Sequence, residues 1–187
     1  MENQRKVYQK ICSEYLFNLA DFHDAIKIVR NSSEGKIWLV GGMVFRTICH
    51  LIYNSPTPKA DFDFIVEKIL IPNLPTGWTA KTNNFGNSKI SNSKIEMDLI
   101  PINNIASIKR RKLPATIENY LSGVPLTIQS IAFDLASKKL IGDVGIQSIE
   151  SRTVAANNLS EADFAAKLYN KSVNDLIQKY TKALKFD

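Results

Sequence analysis

The sequence predicts an α/β protein in which a small mixed sheet is flanked by helices. Three observations predict it. Short apolar runs of strand character recur between stretches of helical periodicity. One of those runs ends in a glycine pair that opens a helix. Amphipathic helices occupy both ends of the chain. The 187 residues suit one domain, and a hydrophobic content of 44% is enough for a core.

The elements follow in order. Residues 4–30 read as helix, with Val7, Ile11, Tyr15, Leu16 and Leu19, then Phe22, Ile26 and Val29, recurring at helical spacing. Residues 31–35 contain Asn, two Ser and Gly and read as a turn. Residues 36–40 are nearly all apolar and read as a buried strand, followed by Gly41-Gly42 and a helix over 43–53. Residues 61–66 open with alternating acid and apolar residues (Asp-Phe-Asp-Phe) and read as the second strand. Pro72, Pro75 and Gly77 interrupt the chain before a strand at 78–82. Residues 83–93, rich in Asn, Ser and Gly, read as a hairpin loop, and 94–100 as an acidic strand. Loop and short helix are expected over 104–122. Apolar segments follow at 126–133 and 139–141, with a turn at Ala136-Ser137-Lys138. Ser160, three residues before Asp163, is the expected N-cap of one long final helix. The resulting division is a helical segment at 1–35, a central domain at 36–155, and a C-terminal helix at 156–187 packed on it.

The candidate chemistry begins with Asp61-Phe62-Asp63. Side chains on a strand alternate, so Asp61 and Asp63 share one face while Phe62 and Phe64 enter the core. Two carboxylates on one face suit one or two Mg²⁺ ions, which prefer hard oxygen ligands. Gly41 and Gly42, at a strand end before a helix, offer backbone N–H groups to a phosphate. Arg46, one helical turn beyond Gly42, is within reach of the same phosphate. A third carboxylate comes from Asp98 or, failing that, Glu96, which share the face opposite Ile95, Met97 and Leu99. Lys109, Arg110, Arg111 and Lys112 form the densest basic run, and Lys167 and Lys171 lie four apart on the last helix. Each group reads either as a guide for an anionic substrate or as a solvated surface. His23 and His50 show no metal-ligand spacing.

The net charge of +6 and the pI near 9.3 fit an anionic partner such as a nucleotide or RNA. No apolar run is long enough to span a bilayer, and the N-terminus lacks the apolar stretch of a signal peptide. Cys12 and Cys49 sit among apolar neighbours and make no disulfide framework or zinc site. These features lead to a cytoplasmic protein with buried free thiols.

Val40-Gly41-Gly42-Met43-Val44 followed by Lys59-Ala60-Asp61-Phe62-Asp63 resembles the head domain of nucleotidyltransferases, the family of bacterial poly(A) polymerases and tRNA CCA-adding enzymes. That family has a Gly-Gly-x-Val-Arg-Asp helix start followed by an Asp-x-Asp strand. The segment from Leu126 through Gln129 to Asp134 is similar to its Phe-Thr-Ile-Asn-Ala-Leu-Ala-Tyr-Asp element. Leu140-Ile141-Gly142-Asp143-Val144-Gly145 and Ser151-Arg152-Thr153-Val154 are similar to the elements that follow. The resemblance covers about residues 36–155. It implies a DNA polymerase β-like fold, Mg²⁺ held as two ions by Asp61, Asp63 and Asp98, and an NTP contacted by Gly41, Gly42, Arg46, Gln129 and Arg152.

The chain departs from the family at defined places. Phe45-Arg46 stands for Arg-Asp, Gly123-Val124-Pro125 for Arg-Arg-Asp, and Gln129 for Asn. The segment 161–171 lacks the family's base-reading arginines. The leading expectation is Mg²⁺-dependent transfer of a nucleoside monophosphate from an NTP to an acceptor hydroxyl, such as an RNA 3′ end. The competing expectations are an inactive nucleotide- or RNA-binding module, and transfer to a protein or small-molecule acceptor.

Overall fold

A computed structural model describes residues 2–70, 74–83 and 86–186. Pro72, one of the chain-breaking signals, lies outside the described residues. A mixed sheet is flanked by helices, as the strand and helix patterns predict. Among the described residues it has seven strands, ordered β3-β4-β5-β2-β1-β6-β7. The strands are β1 (Ser33–Val40), β2 (Asp61–Ile69), β3 (Thr79–Thr82), β4 (Ser88–Ser91), β5 (Glu96–Pro101), β6 (Ala132–Asp134) and β7 (Lys139–Ile141). β2 and β5 pair in parallel, and the other neighbours are antiparallel.

The helices are α1 (Glu2–Asn18), α2 (Ala20–Asn31), α3 (Gly42–Tyr53), α4 (Ala106–Arg111), α5 (Ile117–Leu121), α6 (Asp143–Glu150), α7 (Leu159–Leu168) and α8 (Val173–Leu184). Strand alternation divides the core into two. Phe62, Phe64, Val66, Met97, Leu99, Leu39 and Phe133 point to one face, packed with Tyr8, Cys12 and Leu16 of α1, Phe22 of α2, and Val44 and Ile48 of α3. Trp38, Val40 and Ile65 point to the other face and meet Ile105, Ile108, Ile117 and Leu121. Cys12 and Cys49 are buried free thiols, and burial pushes both up to about 12.

Several boundaries differ from the sequence reading, each for a local reason. The first helix is two helices, because Leu19 adopts an extended conformation (φ −84°, ψ 121°) between them. The polar stretch before Gly35 begins β1 instead of a turn. Gly35, at φ +84°, lies where the register with β2 shifts, so the glycine marks a bulge. Residues 88–91 are strand β4 rather than loop. β4 is almost wholly polar, yet it is paired on both sides, and its Ile90 is fully buried. The acidic strand starts at Glu96, because the Asn92 side chain accepts from the backbone N–H of Lys94 and Ile95 and forms a turn there. Within 126–133, residues Thr127–Gln129 are a 3₁₀ turn before β6. The last helix is also two helices. Asn158, not Ser160, caps α7, and a capping box of Ser172 and Asp175 starts α8.

Candidate active site

The site lies at one end of the sheet, where β1 finishes and β2 and β5 begin. The parallel register sets Asp61 beside Glu96 and Asp63 beside Asp98. All four acids share the face of Ile65, as alternation requires. Asp63 is also opposite Val40, the last residue of β1. The chain then turns at Gly41 (φ +72°), where a Cβ would stand 2.5 Å from Asp63 Oδ2. Only glycine allows this approach, and it brings the start of α3 against the carboxylate. Gly42 is less constrained, since its added Cβ would meet the flexible Arg46 side chain at 3.3 Å.

The acids crowd one another. Burial, then the charges of Asp61 and Asp98, push the Asp63 carboxyl up to about 7. Burial, then Glu96 and Asp98, also raise Asp61. Lys89, opposite Asp98 on β4, supplies a positive charge and pairs with Glu96 at 2.5 Å. The Asn83 side chain donates to Asp98 Oδ1 at 3.3 Å. Among the described residues, no three His, Cys, Asp or Glu side chains form a ready metal cage. The donors nonetheless suit a divalent cation: they are hard oxygens whose mutual repulsion a cation would relieve. Mg²⁺ commonly takes one or two carboxylates and completes its shell with water and substrate phosphate.

A cleft of about 560 Å³ opens beside Asp63. Gly41, Gly42 and Gln129 line it from the sheet end, Arg110 and Tyr120 from α4 and α5, and Glu161, Phe164 and Tyr180 from α7 and α8. Arg110 donates to Glu161 through both Nη2 and Nε, the latter at 3.3 Å, and its guanidinium lies 4.1 Å from the centre of the Phe164 ring. Gln129 accepts from its own N-cap backbone at Leu126 and donates to Tyr180 Oη at 3.1 Å. Burial, with the Asp63 charge behind it, raises the Tyr120 phenol.

No protein-family model matches the chain, and no curated protein matches it by sequence. Solved structures do match. A Bacillus stearothermophilus CCA-adding enzyme in complex with CTP aligns over 75% of this chain and 34% of its own, at 14% identity and a TM-score of 0.50. The chain shares its fold with this enzyme. A tRNA-processing enzyme with CTP aligns over 78% of this chain and 43% of its own, at 17% identity and a TM-score of 0.47. A Thermotoga maritima CCA-adding enzyme complexed with tRNA aligns over 78% and 32%, at 17% identity and a TM-score of 0.46. The chain spans less than half the length of these structures.

Within this fold, Gly41, Gly42, Asp63 and Gln129 line the cleft, while Asp98 lies beside Asp63 in the sheet register and Asp61 two residues before Asp63 on the same face, both outside the lining. Arg46 is not in the lining, and its guanidinium lies 5.6 Å from the Phe45 ring centre and 5.9 Å from that of Tyr180, a lining residue. Arg152 is not brought to the cleft. It follows α6, donates to the Lys185 carbonyl at 2.7 Å and stacks on Tyr53, which makes it a clasp for the chain end. Of the basic run, Arg110 alone lines the cleft. Lys109 binds Asn104, Arg111 fastens α5 through Asn119 and Ser122, and Lys112 ends α4 in a left-handed conformation. Lys171 reaches the cleft lining and Lys167 does not. His23 and His50 bond to the carbonyls of Phe17 and Ser55.

The sequence reading missed Tyr120, Glu161, Phe164 and Tyr180 as cleft residues. Their only sequence signal was weak. Glu161 follows the Asn158 cap by three residues, which also fits a plain helix start. Among the described residues no helix is long and apolar enough to cross a membrane.

Proposed function

We propose that the protein is a Mg²⁺-dependent nucleotidyltransferase that moves a nucleoside monophosphate from an NTP to an acceptor hydroxyl. One observation carries this reading: Asp61, Asp63 and Asp98 share one face of two adjacent strands, and Gly41 brings a helix start against them. The fold likeness to a CCA-adding enzyme in complex with CTP supports the NTP as donor. The positive net charge, and Arg110, Lys171 and Lys179 at the cleft, favour an anionic acceptor, with an RNA 3′ end the first to test.

Asp61, Asp63 and Asp98 would hold two Mg²⁺ ions, which when bound neutralise the phosphate charge and acidify the attacking hydroxyl. The chain's own groups do the rest. The N–H groups at Gly41 and Gly42 and the dipole of α3 orient the triphosphate. Tyr120, Tyr180 and Phe164 shield the cleft from water and give a flat surface for base and sugar. The acceptor oxygen bonds to the α-phosphorus as the bond to pyrophosphate breaks, and Asp98, facing Asp63, takes the hydroxyl proton.

The test is incorporation of each α-labelled NTP into short RNAs with Mg²⁺. The wild type is expected to extend an RNA, and Asp61→Asn or Asp63→Asn to lose at least about a hundredfold in rate. Equal turnover by wild type and Asp63→Asn would sink the mechanism. Label appearing on protein or on a small molecule would instead redefine the acceptor.

A further inference from the structure

Asp61, Asp63, Glu96 and Asp98 form a two-by-two array on β2 and β5, one acid more than the proposed mechanism uses. Lys89 borders that array from β4. Its backbone is opposite Asp98, but its ammonium runs diagonally to Glu96, 2.5 Å away. Diagonal cross-strand neighbours are about 7–8 Å apart, within reach of a lysine. The Lys89 charge also acts on Asp61 and Asp63.

We propose that Lys89 is a positioning residue that selects the cation's ligands, engaging Glu96 as a fixed counter-charge and leaving Asp61, Asp63 and Asp98 to the metal. The proposal rests on the reading of those carboxylates as the metal site. Affinity for a hard cation rises with the number of charged ligands. A fourth free carboxylate would hold the ion, and with it the pyrophosphate product, more tightly than turnover needs. A tethered ammonium removes that ligand without removing the acid. The side chains of Lys89 and Glu96 are 39% and 52% exposed, so the pair contributes little to folding and its variants should fold.

The experiment is titration of the protein with Mn²⁺ alone, read by the electron spin resonance of free Mn²⁺. It compares wild type, Lys89→Met, Glu96→Gln, the double variant and Asp63→Asn. Lys89→Met is expected to bind Mn²⁺ roughly five- to tenfold more tightly, chiefly because Glu96 is then free to join the ion as a further charged ligand. Glu96→Gln is expected to change affinity by less than about twofold while Lys89 is present, and to remove most of the gain when Lys89 is Met, the remainder being the direct effect of the Lys89 charge on Asp61 and Asp63. If Glu96→Gln has the same effect in both backgrounds, or Lys89→Met equals wild type, the selection idea is overturned. Asp63→Asn separates the layers: weaker Mn²⁺ binding there upholds the carboxylate site whatever Lys89 does. Unchanged binding there removes the site, and the role of Lys89 with it.

Discussion

Asp63 carries the largest burden of any side chain at the site. Its carboxyl titrates near 7 when folded and near 3.8 in an unfolded chain, so the folded protein holds the extra proton between those values. The consequence is a loss of stability as pH rises through about 4 to 7, complete above 7 and absent below 4. The size of the shift sets an upper bound of about 4 kcal/mol, reduced because Asp63 keeps some contact with solvent. Melting curves at pH 5 and pH 8 should show wild type falling relative to Asp63→Asn, and Mg²⁺ should restore wild type at pH 8 but not at pH 5. A parallel fall in both proteins would disprove the assignment. The shared face of Asp61 and Asp63 was legible from alternation alone. The choice between Asp98 and Glu96 was not, because both lie on one face of one strand. In the structure, Asp98 lies beside Asp63 and Glu96 beside Asp61, and Glu96 is the one that meets Lys89.

At the scale of elements, α8 shows how a surface motif sustains the cleft. Ser172 Oγ accepts from the Asp175 backbone at 3.1 Å, and Asp175 returns a bond to the Ser172 N–H at 2.9 Å. This box fixes the first turn of the helix that carries Lys179 and Tyr180 to the cleft. Ser172→Ala should cost about 1 kcal/mol, or roughly 2–4 °C in melting temperature. A shift under half a degree would show that packing of Leu176 and Leu184 holds the helix by itself. Elements with strong apolar periodicity, such as α3 and β2, were legible from the sequence. β4 was not, because a strand bordered on both sides by other strands can be polar where the sheet meets solvent. The break between α7 and α8 is made by Asn170 at φ +56° and the cap at Ser172.

Across the whole molecule, the cleft is closed by contacts between elements far apart in sequence. Arg110 of α4 and Glu161 of α7 join its two walls, and their side chains are 39% and 7% exposed. The asymmetry predicts unequal costs. Arg110→Ala strands a buried carboxylate and should destabilise by about 3 kcal/mol, whereas Glu161→Gln leaves an arginine that can turn to solvent and should cost about 1 kcal/mol. Urea unfolding checks the order, and the reverse order would refute it. Such long-range pairing explains why the fold was more legible than the site. The strand and helix pattern is written locally, while Tyr120, Glu161, Phe164 and Tyr180 become neighbours only when α5, α7 and α8 dock.

The strand order also bears on how the protein is made. β1 lies inside the sheet, yet its second partner is β6, with Trp38 and Leu39 paired to Asp134 and Phe133. As the chain leaves the ribosome, the β1 edge has no partner until some ninety-four further residues, from Leu39 to its partner Phe133, have been synthesised. An unpaired strand edge is a template for other chains. The newborn protein therefore passes through an interval of exposure to aggregation that ends only when a strand of three residues arrives to cover it.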